Sequence, residues 1–185
     1  GYTQTTPLQL CLMTAQIGNG GYSIRPKIIV DNDPLTLEQA KKAMEEQNIN
    51  NPYNKLFKDP KNIRIVQEAM FSSTNERFGT SYRSRIDDPK YQFAGKTGTA
   101  QVKRISKRER ELDLKIDQIP YKDRDHALYV AFGPYKNPRY AVSIIVEHGG
   151  SGSRTAAPIA KKLFKLLIDR NELRDKQPNF ENIEI

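Results

Sequence analysis

Lys96-Thr97-Gly98-Thr99 follows an extended-looking run, Tyr91-Gln92-Phe93-Ala94-Gly95, so a cation, two hydroxyls and a position without a side chain fall together at the end of a strand. On a strand edge these groups suit an anion. Threonine hydroxyls can donate to a carboxylate, a lysine can set positive charge beside one, and a glycine lets another backbone approach where a side chain would obstruct it. Backbone N–H groups on such an edge add donors for a developing oxyanion. Acyl transfer to a peptide carbonyl needs both of these provisions, and beyond them a nucleophile and a base. A plainer reading of the same residues exists: an edge lysine discourages sheet-to-sheet pairing, threonines are good strand formers, and Gly95 and Gly98 mark a bulge.

The flanking residues decide between the two. Gly1-Tyr2 followed by Thr6-Pro7-Leu8-Gln9 resembles the segment that opens a helix between the second and third motifs of class B penicillin-binding proteins. Downstream, Thr97-Gly98-Thr99-Ala100-Gln101-Val102, Asp125-His126-Ala127-Leu128, Ala131-Phe132-Gly133-Pro134-Tyr135, Asn137-Pro138 and Glu147-His148-Gly149-Gly150 resemble, in that order, the penicillin-binding protein 2 family of elongation transpeptidases. Weak stretches lie at 31 to 60 and 103 to 124. Enzymes of this kind combine a Ser-x-x-Lys nucleophile, a Ser-x-Asn and a Lys-Thr-Gly. None of the 9 serines has a lysine three places on, so the chain reads as residues 1–185 of the C-terminal portion of a transpeptidase domain, with the nucleophile and any membrane anchor in an absent N-terminal part.

The resemblance implies further expectations. The fold is α+β: three antiparallel strands, part of the five-stranded sheet shared with β-lactamases, flanked by helices, with a C-terminal helix packed on the sheet. The Thr99 N–H pairs with that of the absent serine in the oxyanion hole; Thr97, Gly98 and Thr99 bind the substrate, and Lys96 hydrogen-bonds toward the middle serine of the absent motif. The parent cross-links peptidoglycan stem peptides ending in D-Ala-D-Ala through a serine acyl-enzyme, is trapped by β-lactams, needs no cofactor, and works on the periplasmic side of the bacterial inner membrane beside a membrane glycosyltransferase of the elongation machinery. The chain alone is expected to be inactive, because half an oxyanion hole without a serine cannot be acylated. The rivals are a septal transpeptidase, a β-lactamase relative and, of another class, a basic polyanion-binding module. Asp125-His126-Ala127 and Glu147-His148-Gly149-Gly150 favour elongation over septum by resemblance.

Composition bounds the rest. A chain of 185 residues can bury about 70% of its unfolded surface as one unit. Its 37% hydrophobic and 28% charged residues are globular but polar-leaning, and the formal charge is +8. No run of about 20 apolar residues is present to span a membrane, and the first residues lack the zones of a signal peptide. Cys11 is the single cysteine, expected as a buried thiol, which excludes an internal disulfide. With His126 and His148 the only histidines and no ligand-spaced pair, no structural zinc site is expected.

Three other features could pass for sites. Ser73-Thr74-Asn75 spells Ser-x-Asn but lies after the Thr-Pro-Leu-Gln helix, where the second motif of the family does not occur, and resembles instead the turn leading into the strand. Lys103 to Arg110 carries five positive residues and one negative, a pattern that reads first as a solvated face. Anionic lipid or glycan is its functional alternative, and nucleic acid is not expected because no aromatic interleaving accompanies the charge. Asp125-His126 reads as a satisfied histidine at a strand entrance rather than a dyad, and His148 as a strand-end turn residue.

These residues need elements to hold them. Thr6-Pro7-Leu8-Gln9 predicts a helix start, with a threonine cap, proline at the first position and a capping-box glutamine; Gly18, Gly20 and Gly21 end it. Residues 31 to 62 read as a surface excursion with a modest helix near Leu37 to Gln47. Asp59-Pro60 starts a second helix with Ile63, Val66 and Met70 on its buried face, dissolving near Ser72 to Gly79. Strands are expected at about 91–102, 128–134 and 140–147, the third placing Val142, Ile144 and Val146 on one face, and the short Lys136 to Arg139 link makes the last two an antiparallel hairpin. A helix over about 156–170 covers the sheet with Ile159, Leu163, Leu166 and Leu167, tolerating Pro158 in its first turn. Gln177 to Ile185 reads as a frayed tail.

Overall fold

The computed structural model describes residues 4–24, 26, 59–103 and 114–175. Helix α1 runs Pro7–Gly18. Its start is a reciprocal capping box, with Gln9 N–H donating to Thr6 Oγ1 (3.2 Å) and Thr6 N–H to Gln9 Oε1 (2.8 Å), so two otherwise orphaned donors are satisfied. Asn19 ends it, its Oδ1 accepting from the N–H groups of Gly21 and Tyr22. Helix α2, Pro60–Asn75, starts where Asp59 Oδ1 accepts from Lys61 N–H at 2.9 Å. The two helices are tied end to side: Gln67 Nε2 donates to Ile17 O (2.7 Å) and Gly18 O (3.2 Å), carbonyls of the last turn of α1.

Three strands form one antiparallel sheet in the order β1-β2-β3, namely Ala94–Ala100, His126–Gly133 and Tyr140–Val146. β2 and β3 are the expected hairpin. β1 is shorter than the run that suggested it, because Tyr91 closes a turn onto Asp88 O (2.9 Å) and the ladder stops at Ala100. β2 begins two residues earlier than expected, since His126 and Ala127 still find partners in Ala100 and Thr99.

Each face of the sheet carries its own core. Against one, Ala94 and Phe132 pack with Met70, Ile17 and Phe71, bringing α1 and α2 down. Against the other, Ala127, Tyr129 and Ala131 meet Phe93 and helix α3, Ala157–Asp175. Phe164 of α3 stacks on Phe93 with ring centroids 4.8 Å apart. Val142, Ile144 and Val146 join this face together, as alternation requires. A single π-helical turn, Gly152–Ala156, precedes α3 and lies over the middle of β1 and β2: a Cβ at Gly152 would be 2.5 Å from Leu128 O and 2.6 Å from Gly98 O.

Both expected helix stripes are corrected. On α2, Ile63 and Met70 are buried but Val66 is 40% exposed; the covered line runs Ile63, Gln67, Met70, Thr74, whose spacing of four, three and four keeps one face, whereas Val66 falls to its flank. On α3 the buried residues are Ala157, Ala160, Phe164 and Ile168, while Ile159 and Leu166 are 39% and 64% exposed. Alanines at 157 and 160 let the helix approach the sheet closely beside Phe164 and Ile168, so the inward face is not the one marked by the leucines. Pro158 does fall in the first turn. Helix α2 also persists through Asn75, so Ser73-Thr74-Asn75 is its last turn and not a loop into the strand. The predicted helix near Leu37 to Gln47, the tail from Gln177, and all but Lys103 of the basic run lie outside the described residues.

Candidate active site

Lys96, Thr97, Gly98 and Thr99 sit mid-strand on β1, opposite Val130, Tyr129, Leu128 and Ala127. In this sheet β1 has one neighbour only, so its other edge is open among the described residues. Polar groups of successive residues in an antiparallel strand alternate between the two edges. The carbonyls of Gly95 and Thr97 accept from side chains, Thr74 Oγ1 (3.5 Å) and Lys96 Nζ (3.0 Å), as befits residues whose polar groups point away from β2. Two-residue alternation then directs the N–H of Thr99 to the same open edge. Lys96 is exposed, and among the described residues no carboxylate pairs with its ammonium. At Gly98 an added Cβ would be 3.2 Å from Leu128 Cβ, so the residue also meets a packing limit inside the sheet.

Beneath the strand lies a polar cluster that sequence reasoning missed. The Tyr129 hydroxyl is fully buried and meets Thr74 Oγ1 at 2.9 Å and Ser81 Oγ at 3.1 Å. Ser81 Oγ in turn donates to Ser73 O at 3.0 Å. Burial pushes the Tyr129 phenol above its ordinary range, with the hydrogen bonds to Ser81 and Thr74 drawing it partly back. Only glycine fits at position 95, because a Cβ there would overlap the Tyr129 hydroxyl. Asn75 Nδ2 donates to Phe93 O (2.9 Å) and to Phe71 O (3.0 Å), pinning the end of α2 to the entry of β1. A more exposed line of hydroxyls runs along the same edge: Ser73 Oγ to Thr80 Oγ1 is 3.2 Å, and Thr80 Oγ1 to Thr97 Oγ1 is 3.3 Å. These contacts join residues 7 to 55 positions apart and follow no period, so only the density of hydroxyl residues around 72–81 hinted at them.

The remaining candidates resolve separately. Asp125 and His126 make no dyad: Asp125 Oδ1 accepts from Val102 N–H (3.4 Å), and His126 Nδ1 accepts from the backbone N–H of His148 (2.9 Å). His148 sits in the turn after β3 at φ 55°, its ring Nδ1 3.1 Å from Arg124 O. Cys11 is half-buried, with its Sγ 3.4 Å from Ala141 O, and burial raises its thiol pKa. Lys103 pairs with Asp123 at 3.7 Å. Among the described residues no cluster of three or more His, Cys, Asp or Glu is placed to hold a metal ion, and no helix is long and apolar enough to cross a membrane.

An edge strand of this composition, over a sheet covered by helices on both faces, is the arrangement of penicillin-interacting enzymes, and the chain matches the family described as penicillin binding protein transpeptidase domain over residues 1–165. It belongs to that family. Within it the chain is similar to the enzyme named peptidoglycan D,D-transpeptidase MrdA: 34% identical over 170 residues in Salmonella typhimurium, covering 91% of this chain and 26% of the relative, and 29% over 175 residues in Escherichia coli K12, covering 95% and 25%. Among solved structures it resembles Pseudomonas aeruginosa PBP2 in complex with WCK 5153 (TM-score 0.61, 33% identity, 90% of this chain and 31% of that one). It also resembles PBP2 of Helicobacter pylori in complex with MreC (TM-score 0.66, 27% identity, 91% and 25%). The chain thus spans about a quarter of the length of the curated relatives it matches.

Proposed function

We propose that this chain is the part of a peptidoglycan D,D-transpeptidase that holds the substrate carboxylate and supplies half of the oxyanion hole. The observation that carries the reading is the open edge of β1, where Lys96, Thr97 and Thr99 stand in sequence with no further strand paired across them among the described residues. A stem peptide ending in D-Ala-D-Ala lies along that edge. Its terminal carboxylate accepts from the Thr97 and Thr99 hydroxyls, and Lys96 sets a positive charge behind it. A serine from a segment outside this chain attacks the penultimate carbonyl, whose oxygen gathers negative charge as the tetrahedral intermediate forms and is met by the Thr99 N–H, one donor of this kind being worth about a hundredfold or more in rate. β-Lactams present a carboxylate and an acyl carbonyl in similar relation and acylate the same serine. Lys96 also extends a donor toward the middle serine of a second motif outside the chain.

The likeness to enzymes named MrdA and PBP2 supports the elongation type, with cell-shape-determining wall synthesis as its role, a membrane-embedded glycosyltransferase as partner, and a working position on the outer side of the cytoplasmic membrane. With no Ser-x-x-Lys among the 185 residues, the isolated chain should take no covalent penicillin label. A complete transpeptidase that includes both other motifs should take one per molecule. Mass spectrometry after incubation with benzylpenicillin reads both; a stoichiometric acyl adduct on the isolated chain refutes the division of labour proposed here.

A further inference from the structure

Thr97 is not alone on its edge. We infer that Thr80 is a positioning residue for the carboxylate-binding hydroxyl, the middle of a chain Ser73–Thr80–Thr97 that aims the Thr97 proton at the anion; this rests on the function proposed above. The distances are 3.2 Å and 3.3 Å between successive hydroxyl oxygens. Each hydroxyl has one proton to give. When the Thr97 proton goes to a carboxylate, its oxygen is left to accept, and the neighbour placed to donate is Thr80. Thr80 then accepts from Ser73, so all three protons point toward the open edge. Hydrogen bonds in such a row polarise one another, which makes the terminal donor stronger than a lone threonine.

The backbone is built to hold Thr80 in that place independently of its hydroxyl. Gly79 N–H donates to Glu76 O (2.9 Å) and Ser81 N–H to Ser73 O (3.0 Å), so the loop is fastened on both sides of the residue. Gly79 lets it come this close: a Cβ there would overlap the carbonyl oxygen of Ser73. Thr80 itself is exposed, and packing does not account for its orientation. Removing the hydroxyl should therefore leave the fold intact and free the Thr97 side chain to turn away from the substrate.

The test uses a complete transpeptidase containing this chain, acylated by benzylpenicillin and, in parallel, by its methyl ester, which cannot present a carboxylate. Thr80→Val should slow acylation by the acid about three- to tenfold, the size of one net hydrogen bond, and leave the ester rate unchanged. Thr80→Ser should restore the acid rate. In a Thr97→Val background the Thr80 change should add almost nothing, because its effect passes through that hydroxyl. Ser73→Ala, one hydrogen bond further away, should show the same acid-only effect at smaller size and stands in if Thr80→Val does not fold. Equal slowing of acid and ester, or additive effects of Thr80→Val and Thr97→Val, overturns the positioning role. An acid rate unchanged in Thr97→Val alone instead brings down the carboxylate assignment itself, and the role of Thr80 with it.

Discussion

The hydroxyl of Thr97 and the ammonium of Lys96 are adjacent in sequence yet face different demands. In the function proposed above, Thr97 gives the carboxylate a directed hydrogen bond. Thr97→Val keeps the shape of the strand and deletes that donor, leaving the anion short by about 1–3 kcal/mol. Second-order acylation by a β-lactam in the complete enzyme should fall roughly ten- to hundredfold. In the same proposal Lys96 contributes a charge near both the anion and the path of the proton. Its Nζ rests on Thr97 O at 3.0 Å, with no carboxylate holding it among the described residues, so it is available to turn toward a ligand. Lys96→Ala should cost more than Thr97→Val, and Lys96→Arg should recover only part, since a planar fork cannot take the place of a compact ammonium. Joint neutralisation of Lys103, Arg104 and Lys107 serves as the control and should leave the same rate nearly unchanged. If the control is the more impaired variant, β1 is not the substrate-binding strand.

At the level of elements, what holds β1 in place is the buried hydroxyl cluster at the end of α2. Thr74 sits at 0% exposure between Tyr129, Ser81 and the Gly95 carbonyl, so Thr74→Val strips a hydrogen-bond partner from the buried phenol in exchange for a methyl group. Denaturant unfolding of the complete domain should show a loss of about 1–3 kcal/mol, with acylation falling along with it because the strand edge loosens. The phenol gives a second readout. Tyr129 has its pKa raised from 10.0 by burial, so the folded state keeps the proton longer than the unfolded one; its contribution is complete below pH 10.0 and is lost as pH climbs through the higher folded value. Tyr129→Phe should flatten that part of the alkaline unfolding curve. Much of this architecture could be read from sequence where a local signal exists: the capping box at Thr6, the Asp59-Pro60 start, the hairpin set by a four-residue link, and the placing of Lys96 to Thr99 on a strand. The inward faces of α2 and α3 could not. Hydrophobic periodicity weighs large side chains, whereas α3 turns Ala157 and Ala160 to the sheet, and α2 turns in Gln67 and Thr74 because its face bonds to α1 and β1 instead of merely packing. The hydroxyl chain was hidden for a related reason, since Thr80 meets Thr97 across 17 residues by a loop closure that no window of sequence reports.

At the scale of the molecule, the three-stranded sheet leaves β1 and β3 with one partner each among the described residues, and unpaired edges invite pairing with another copy. Apolar side chains stand out of the described surface at the same time: Phe78 is 97% exposed, Leu166 64% and Ile65 62%. Phe78 belongs to the loop that delivers Thr80 to Thr97, which puts the most exposed aromatic among the described residues in the loop beside the open edge of β1. Opposing these attractions is a formal charge of +8, which keeps copies apart at low ionic strength. The two effects differ in their response to salt: screening shortens the reach of charge repulsion to about 8 Å at physiological ionic strength while leaving apolar contact intact. The isolated chain should therefore associate as its concentration rises, and more readily as salt is added. Phe78→Ser should weaken that association without changing the secondary structure seen by circular dichroism. Sedimentation velocity across a concentration series at low and moderate salt makes the measurement. A compact monomer at high concentration in both would mean that the open edge of β1 and the ring of Phe78 are protected by the chain itself.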